Sequence, residues 1–235
     1  MGTVNLVDAK INYETFGNSN NPPLIMLHGN GEDISFFAPQ ISHFETDFYI
    51  IAIDSRGHGK SIGIPHDFDQ MAGDTLAVMR SLNIAKAHFL GFSDGAIQAL
   101  HLAMKAPGNI RSLILLGANI TPNGLRVSVR IYLWYVYLLL CIKTLFNPTK
   151  WMLTKIIWSL MIFHPHIEAS TLKNITVPTL VIAGENDMIK LSHTGLITSS
   201  IPQSEMVIVP NADHFLSSNK PEVFNNIAGK FLRVH

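Results

Sequence analysis

Ala87-His88-Phe89-Leu90-Gly91-Phe92-Ser93-Asp94-Gly95-Ala96-Ile97 is the stretch on which the reading of the fold turns. Residues 87–91 form a short apolar run, the pattern of a buried strand. A helical pattern opens at 94 and continues to 106. Between the two stands Gly91-Phe92-Ser93-Asp94-Gly95. A strand that turns sharply into a helix pushes its central serine into a strained, exposed position. Glycines flank it because side chains there would collide with the neighbouring strand and helix. Five letters of the form G-x-S-x-G recur by chance, but with a strand before and a helix after they mark an exposed nucleophile.

Working outward, strands are expected at 4–7, 10–16, 24–27, 49–53, 87–91, 112–117, 179–183 and 206–209. Helices are expected at 67–82, 94–106, 189–200 and 221–232. Runs such as Leu24-Ile25-Met26-Leu27 and Tyr49-Ile50-Ile51-Ala52-Ile53 suit strands buried on both faces of a parallel sheet. The alternation predicts an α/β fold, a mostly parallel, doubly wound sheet of eight strands. It fails between about 121 and 170, where no strand pattern occurs. From 131 to 163, 24 of 33 residues are apolar, and all three tryptophans lie there. Asn147-Pro148 divides this segment into two expected helices. The organisation predicted is a single domain, with a core of 1–120 and 171–235 and a helical lid inserted at 121–170.

A serine hydroxyl is a weak nucleophile and needs a base, itself oriented by a third group. Asp187 follows the expected strand 179–183, and His214 follows 206–209. Open α/β sheets place their sites at the carboxyl ends of strands, so Ser93, Asp187 and His214 can converge there. An acyl-transfer site also needs backbone N–H groups aimed at the developing oxyanion. Asp94, after the nucleophile, offers one. Asn30, in the loop Leu27-His28-Gly29-Asn30-Gly31-Glu32, offers another. His28 is assigned a structural part in that loop, bonding backbone. Gly29, Asp94, Trp134 and Trp158 are the candidate substrate contacts. His164-Pro165-His166 reads as a loop, no zinc spacing occurs, and no metal or organic cofactor is expected.

Composition narrows the function classes. Lys plus Arg and Asp plus Glu are both 17, and only 14% of residues are charged. Neutrality argues against a nucleic-acid partner and the apolar content against disorder. It hides a cancellation, however. Residues 1–94 carry 5 basic and 11 acidic side chains, 95–167 carry 7 basic and none acidic, and 168–235 carry 5 and 6. Cys141 is the single cysteine, so no internal disulfide forms. The first residues lack a signal-peptide pattern, and the twelve-residue apolar run 131–142 is short for a bilayer span. A cytoplasmic chain without stable membrane insertion is expected. The apolar lid is read mainly as packing and pocket lining, with contact to a second copy (a homodimer) or a membrane surface as alternatives.

On these residues the chain resembles the α/β-hydrolase superfamily, from about Val4 to Phe231. Ile53-Asp54-Ser55-Arg56-Gly57-His58-Gly59-Lys60-Ser61 is similar to that family's loop after its next strand. Asp54 stands where a Walker A loop needs glycine, so Gly59-Lys60-Ser61 is not read as a nucleotide site. Gly91 to Ile97 with Leu116-Gly117-Ala118-Asn119 is similar to the valacyclovir hydrolase-like esterases. The resemblance implies a serine esterase acting on small-molecule carboxylic esters through an acyl-enzyme, extending to α-amino acid esters. In that group the acid after the nucleophile binds the substrate ammonium; a helix dipole alone would equally favour Asp94 there. Lactone, thioester, amide or carbon–carbon cleavage on the same residues, or a ligand receptor of the same fold, are the alternatives. Ser93 in place of aspartate argues against a haloalkane dehalogenase.

Overall fold

The computed structural model describes all 235 residues. Eight strands form one sheet: β1 (Gly2–Asn5), β2 (Lys10–Phe16), β3 (Pro23–Leu27), β4 (Tyr49–Ile53), β5 (Ala87–Phe92), β6 (Ile110–Leu116), β7 (Thr179–Gly184) and β8 (Ser204–Val209). Their spatial order is β1-β2-β4-β3-β5-β6-β7-β8. β1 and β2 run antiparallel to their neighbours, and β3 to β8 are parallel. Eight helices connect or follow them: α1 (Ala38–Phe44), α2 (Phe68–Ser81), α3 (Asp94–Lys105), α4 (Val127–Phe146), α5 (Pro148–Phe163), α6 (Leu191–Ser200), α7 (Leu216–Asn219) and α8 (Pro221–Val234).

The continuous apolar runs are explained by burial on both faces. Ile25 and Leu27 of β3, with Ile51 and Ile53 of β4, pack on one side with residues of α2 and α3. Leu24 and Met26, with Ile50 and Ala52, pack on the other side with α1 and α8. Alternate side chains of one strand thus enter two separate cores. The edges are less covered: β1 alternates between half-buried and exposed positions.

Every expected strand is present, with boundaries within two residues. The largest shift is at β1, expected at 4–7. Its pairing runs from Gly2 opposite Tyr13 to Asn5 opposite Lys10. Leu6 to Ala9 are spent on the turn, where the Leu6 N–H donates to the Ala9 carbonyl at 2.8 Å, and Val7 points into solvent. The short helices α1 and α7 were not expected; at seven and four residues they are too brief for a periodic pattern.

The segment without strands is an α4–α5 hairpin. The Asn147 side chain accepts from the Lys150 N–H at 3.2 Å and caps α5, while Pro148 opens it with an amide that needs no partner. The twelve-residue apolar run understates α4. That helix has 20 residues and a composition apolar enough to cross a membrane, with only Leu133, Leu140 and Thr144 buried. The flanking Val127-Ser128-Val129-Arg130 and Lys143-Thr144-Leu145-Phe146 continue the helix because no breaker occurs before Asn147.

Candidate active site

The strand order reverses between β3 and β5, the switch point of an open α/β sheet, where ligands bind beyond the carboxyl ends of strands. β5 ends directly in Ser93. This residue adopts φ 51° and ψ −115°, and its N–H donates to the Leu116 carbonyl at 2.8 Å. Such a conformation is costly for a residue with a side chain and is held by its surroundings. A Cβ at Gly95 would overlap the Leu27 carbonyl of β3. One at Gly91 would overlap Gly95 and Ala96 of α3. The flanking glycines therefore serve close approach, as expected.

β7 delivers Asp187 and β8 delivers His214. Their side chains meet: His214 Nδ1 lies 2.7 Å from Asp187 Oδ1. His214 Nε2 lies 3.0 Å from Ser93 Oγ. The carboxylate accepts from Nδ1–H, which leaves Nε2 unprotonated and facing the serine hydroxyl. The Ile189 N–H also donates to Asp187 Oδ1, at 2.9 Å, and Asp187 Oδ2 is buried without a partner. Both Asp187 and His214 are buried. Hydroxyl, imidazole and carboxylate thus stand in the order that a nucleophile, its base and an orienting acid require.

The loop after β3 is built around His28. The Ser55 N–H donates to His28 Nε2 at 3.0 Å, so the ring proton is on Nδ1, which donates to the Gly29 carbonyl at 2.8 Å. Burial, reinforced by His58, pushes His28 down to about 4 and keeps it neutral. Pinning the Gly29 carbonyl also fixes the opposite side of that planar peptide, the Asn30 N–H. The Asn30 N–H has no partner within the chain. The Asp94 N–H, at the first position of α3, has no intrahelical partner. Both are free to donate to an oxyanion.

A cavity of about 420 Å³ opens at Ser93 and His214, within the usual range for small-molecule sites. Asn30, Gly31 and Glu32 line it from the β3 loop, and Val129, Tyr132, Leu133, Trp158 and Met161 from the α4–α5 hairpin. Trp158 is thus in the cavity wall, beside Tyr132 at 6.4 Å between ring centroids. Trp134 is not. It packs edge-on against Tyr137 and Phe163 and lines two other depressions outside this cavity. Two positions along a helix rotate a side chain by about 200°, so Tyr132 and Trp134 cannot share a face. Gly29 is not in the wall either; its N–H donates to Glu32 Oε2 at 3.1 Å. A larger cleft of about 620 Å³, near Glu14, Asp33 and Lys60, contains no such relay.

Asp94 also lies behind the wall. It is buried, and Asn30 Nδ2 donates to its Oδ2 at 2.9 Å and to the Ile157 carbonyl of α5 at 2.9 Å. Burial pushes its carboxyl up to about 6, against the Asn30 hydrogen bond and the nearby His214. The acid that does line the cavity is Glu32, which is not among the expected contacts. Burial pushes it up to about 7, while the Gly29 N–H and His214 pull it down. Neither acid has an ion-pair partner. A carboxylate three residues after the glycine of an oxyanion loop was the available signal.

Glu32 makes stability depend on pH. Between its ordinary value near 4.5 and about 7, the folded chain keeps the proton and the unfolded chain loses it. Stability therefore falls as pH rises through that window and stays reduced above it. Glu32→Gln keeps an acceptor for the Gly29 N–H and removes the ionisation. The variant is expected to exceed the parent by about 1–2 kcal/mol at about pH 8, discounted for partial exposure, and to match it at about pH 4. Urea unfolding at the two pH values measures this; an equal deficit at both would assign Glu32 a packing role only.

The stretch Asp54 to Ser61 is closed by its own acid. Asp54 accepts from the Ile34 N–H at 3.0 Å, the Lys60 N–H at 2.8 Å and Asn12 Nδ2 at 2.9 Å. The backbone donor that a phosphate would need is thereby committed to a carboxylate.

The sequence profile described as the alpha/beta hydrolase fold matches residues 22–139, half of the chain. The chain belongs to the alpha/beta hydrolase family. This alpha/beta hydrolase is similar to 3-oxoadipate enol-lactonase 2 of Acinetobacter baylyi, 34% identical over 48% of this chain and 43% of the relative. It is also similar to the serine hydrolase BPHL of Homo sapiens, 26% identical over 95% of this chain and 83% of the relative. Among solved structures, the enol-lactonase from Burkholderia xenovorans superimposes with a TM-score of 0.82, covering 99% of this chain and 100% of that one at 20% identity. The chain is an enzyme of the hydrolase class.

Proposed function

We propose that this alpha/beta hydrolase is a serine esterase that cleaves small carboxylic esters by way of an acyl-enzyme. The observation that carries the reading is the relay Ser93–His214–Asp187, at 3.0 Å and 2.7 Å. Ser93 Oγ attacks the ester carbonyl carbon while its proton passes to His214 Nε2. Asp187 holds the imidazole and stabilises its charged form. The Asn30 and Asp94 N–H groups take the oxyanion. When the tetrahedral species collapses, the alcohol leaves with the proton from His214. Water then repeats the attack on the acyl-Ser93 ester, with His214 again as base, and releases the acid.

The substrate class follows from the two acids without cations. Glu32 in the cavity wall and Asp94 behind Asn30 supply negative charge beside the reacting carbonyl. An ester with a free α-ammonium group matches that charge. Its binding would also deprotonate Glu32, by placing an opposite charge near it. A lactone is an ester closed in a ring and passes through the same steps, so it belongs in the same comparison.

A panel of esters sharing one leaving alcohol tests both levels. Free-amino esters are expected to exceed N-acetylated and plain acyl esters at least tenfold in kcat/KM, from a charge-assisted bond of about 1.5–3 kcal/mol. Glu32→Gln should erase most of that margin while keeping turnover of the plain esters. Equal rates across the panel would discard ammonium recognition and leave the esterase. No turnover of any ester or lactone by folded protein would discard the esterase.

A further inference from the structure

Helix α4 carries an apolar stripe that no other part of the chain covers. Val127, Ile131, Leu138, Ile142, Leu145 and Phe146 are each 53–86% exposed. Their spacing is that of one helical face, the face that an ordinary surface helix turns toward the core. Over 20 residues the stripe is about 30 Å long. Apolar surface this continuous marks an interaction site.

Charge decides what kind of partner fits. From Arg126 to Phe163, the hairpin and its entry, there are five Lys or Arg and no Asp or Glu. The hairpin tip concentrates the pattern. Leu145 and Phe146 project there, and Lys143 and Lys150 lie 4.5 Å and 5.1 Å over the Trp151 ring. Apolar side chains beside an aromatic ring and lysines are the composition of a segment lying in a membrane interface, with its cations among lipid phosphates. A second copy docked stripe to stripe would set like charge against like charge. An anionic bilayer surface is complementary on both counts.

We propose that the α4–α5 hairpin docks peripherally on an anionic lipid bilayer. The stripe would lie in the boundary between headgroups and acyl chains, along the membrane plane. The helix is tied to the body and does not leave it to cross the bilayer. The Arg126 N–H donates to the Met188 carbonyl at 2.9 Å, and Leu133 packs with Leu125, Ile162 and Ile189. Because Tyr132 and Trp158 of the same hairpin line the Ser93 cavity, docking would bring the cavity mouth to the membrane surface. The proposal concerns the surface alone and does not depend on which ester is cleaved.

Co-sedimentation with vesicles tests it. The full chain is expected to bind phosphatidylglycerol–phosphatidylcholine vesicles at least tenfold more tightly than pure phosphatidylcholine, and to be released by high salt. Lys143→Glu with Lys150→Glu should weaken anionic binding by about tenfold or more, at about 1 kcal/mol per lysine. Leu138→Ser, Ile142→Ser and Phe146→Ser together should do at least as much. Both sets should retain the parent's thermal transition and its turnover of a soluble p-nitrophenyl ester, which separates lost docking from lost folding. Equal binding to the two vesicle types, or binding to neither, overturns the proposal. So does retention on vesicles through high salt and alkali, which would mean insertion. A dimer in light scattering that the triple serine variant dissociates, with no vesicle binding by the parent, would assign the stripe to a second copy.

Discussion

Ser93→Ala is expected to abolish covalent labelling by a fluorophosphonate and to lower kcat on p-nitrophenyl esters by about 10⁴–10⁶-fold. The fold should survive, because the strain at this position is already met. Alanine carries the same Cβ at φ 51°, and the only side-chain partner lost is His214. The turn is held instead by the Ser93 N–H on Leu116 and by the close approach of Gly95 to Leu27. Some rate above the uncatalysed reaction should remain, since the Asn30 and Asp94 N–H groups are backbone donors and stay in place. Intact-mass analysis after probe treatment, with kinetics on the same preparation, provides the measurement. Undiminished hydrolysis by the variant would move the chemistry to another residue. A folded parent that no probe labels would remove the nucleophile from the account.

The difference between what the sequence displayed and what it concealed has a physical origin. Ser93, Asp187 and His214 each follow an apolar run, and parallel strands put all such termini at one edge of the sheet. Their meeting is a consequence of topology, so it could be read before any coordinates. Asn147-Pro148 was equally legible, since a capping residue and a missing N–H act locally. Rotation about a helix axis is different. Apolar residues cover nearly all of α4, so no polar face told which side meets the body, and Trp134 was placed in the cavity that Tyr132 lines instead. Glu32 was hidden for another reason. A carboxylate in a glycine-rich loop reads as solvated, and residues of the distant hairpin, Trp158 and Met161 among them, make it part of a cavity wall. The β1 boundary slipped because Leu6 and Val7 look like strand residues, while pairing with β2 spends them on a turn.

One amide links these parts. Asn30 carries a candidate oxyanion N–H on its backbone, while its side chain joins Asp94 of α3 to the Ile157 carbonyl of the hairpin. The loop, helix α3 and the hairpin are therefore held by one side chain at the cavity wall. A substrate ammonium that took Asp94 Oδ2 would compete with Asn30 Nδ2 for that oxygen. Such a ligand would also loosen the hairpin, whereas one read by Glu32 alone would not. This difference gives the Glu32 comparison a structural consequence beyond rate.

Asp187→Asn is the second large effect, a fall of about 10⁴-fold in kcat. The argument rests on the unequal environment of the two carboxylate oxygens. Oδ1 accepts from both His214 and the Ile189 N–H, while Oδ2 is buried and unpartnered. An asparagine has two ways to occupy this space. With its oxygen at the Oδ1 position, it keeps both hydrogen bonds but buries an NH₂ with nothing to accept from it, which costs about 1–3 kcal/mol of stability. With its NH₂ at the Oδ1 position, it donates to His214 Nδ1, moving the ring proton to Nε2. A protonated Nε2 cannot take the proton of Ser93, and the amide also opposes the Ile189 N–H. The first arrangement predicts a less stable enzyme that still turns over, the second a slow one that is also less stable, because the Ile189 N–H loses its acceptor. Both remove the negative charge that stabilises the imidazolium, and in the second, which also lacks the base, activity should rise with pH as hydroxide replaces it. Kinetics across pH separates the two, and a thermal melt should show the loss of stability common to both. Parent-like kcat with parent-like stability would show that Asp187 does not orient the base.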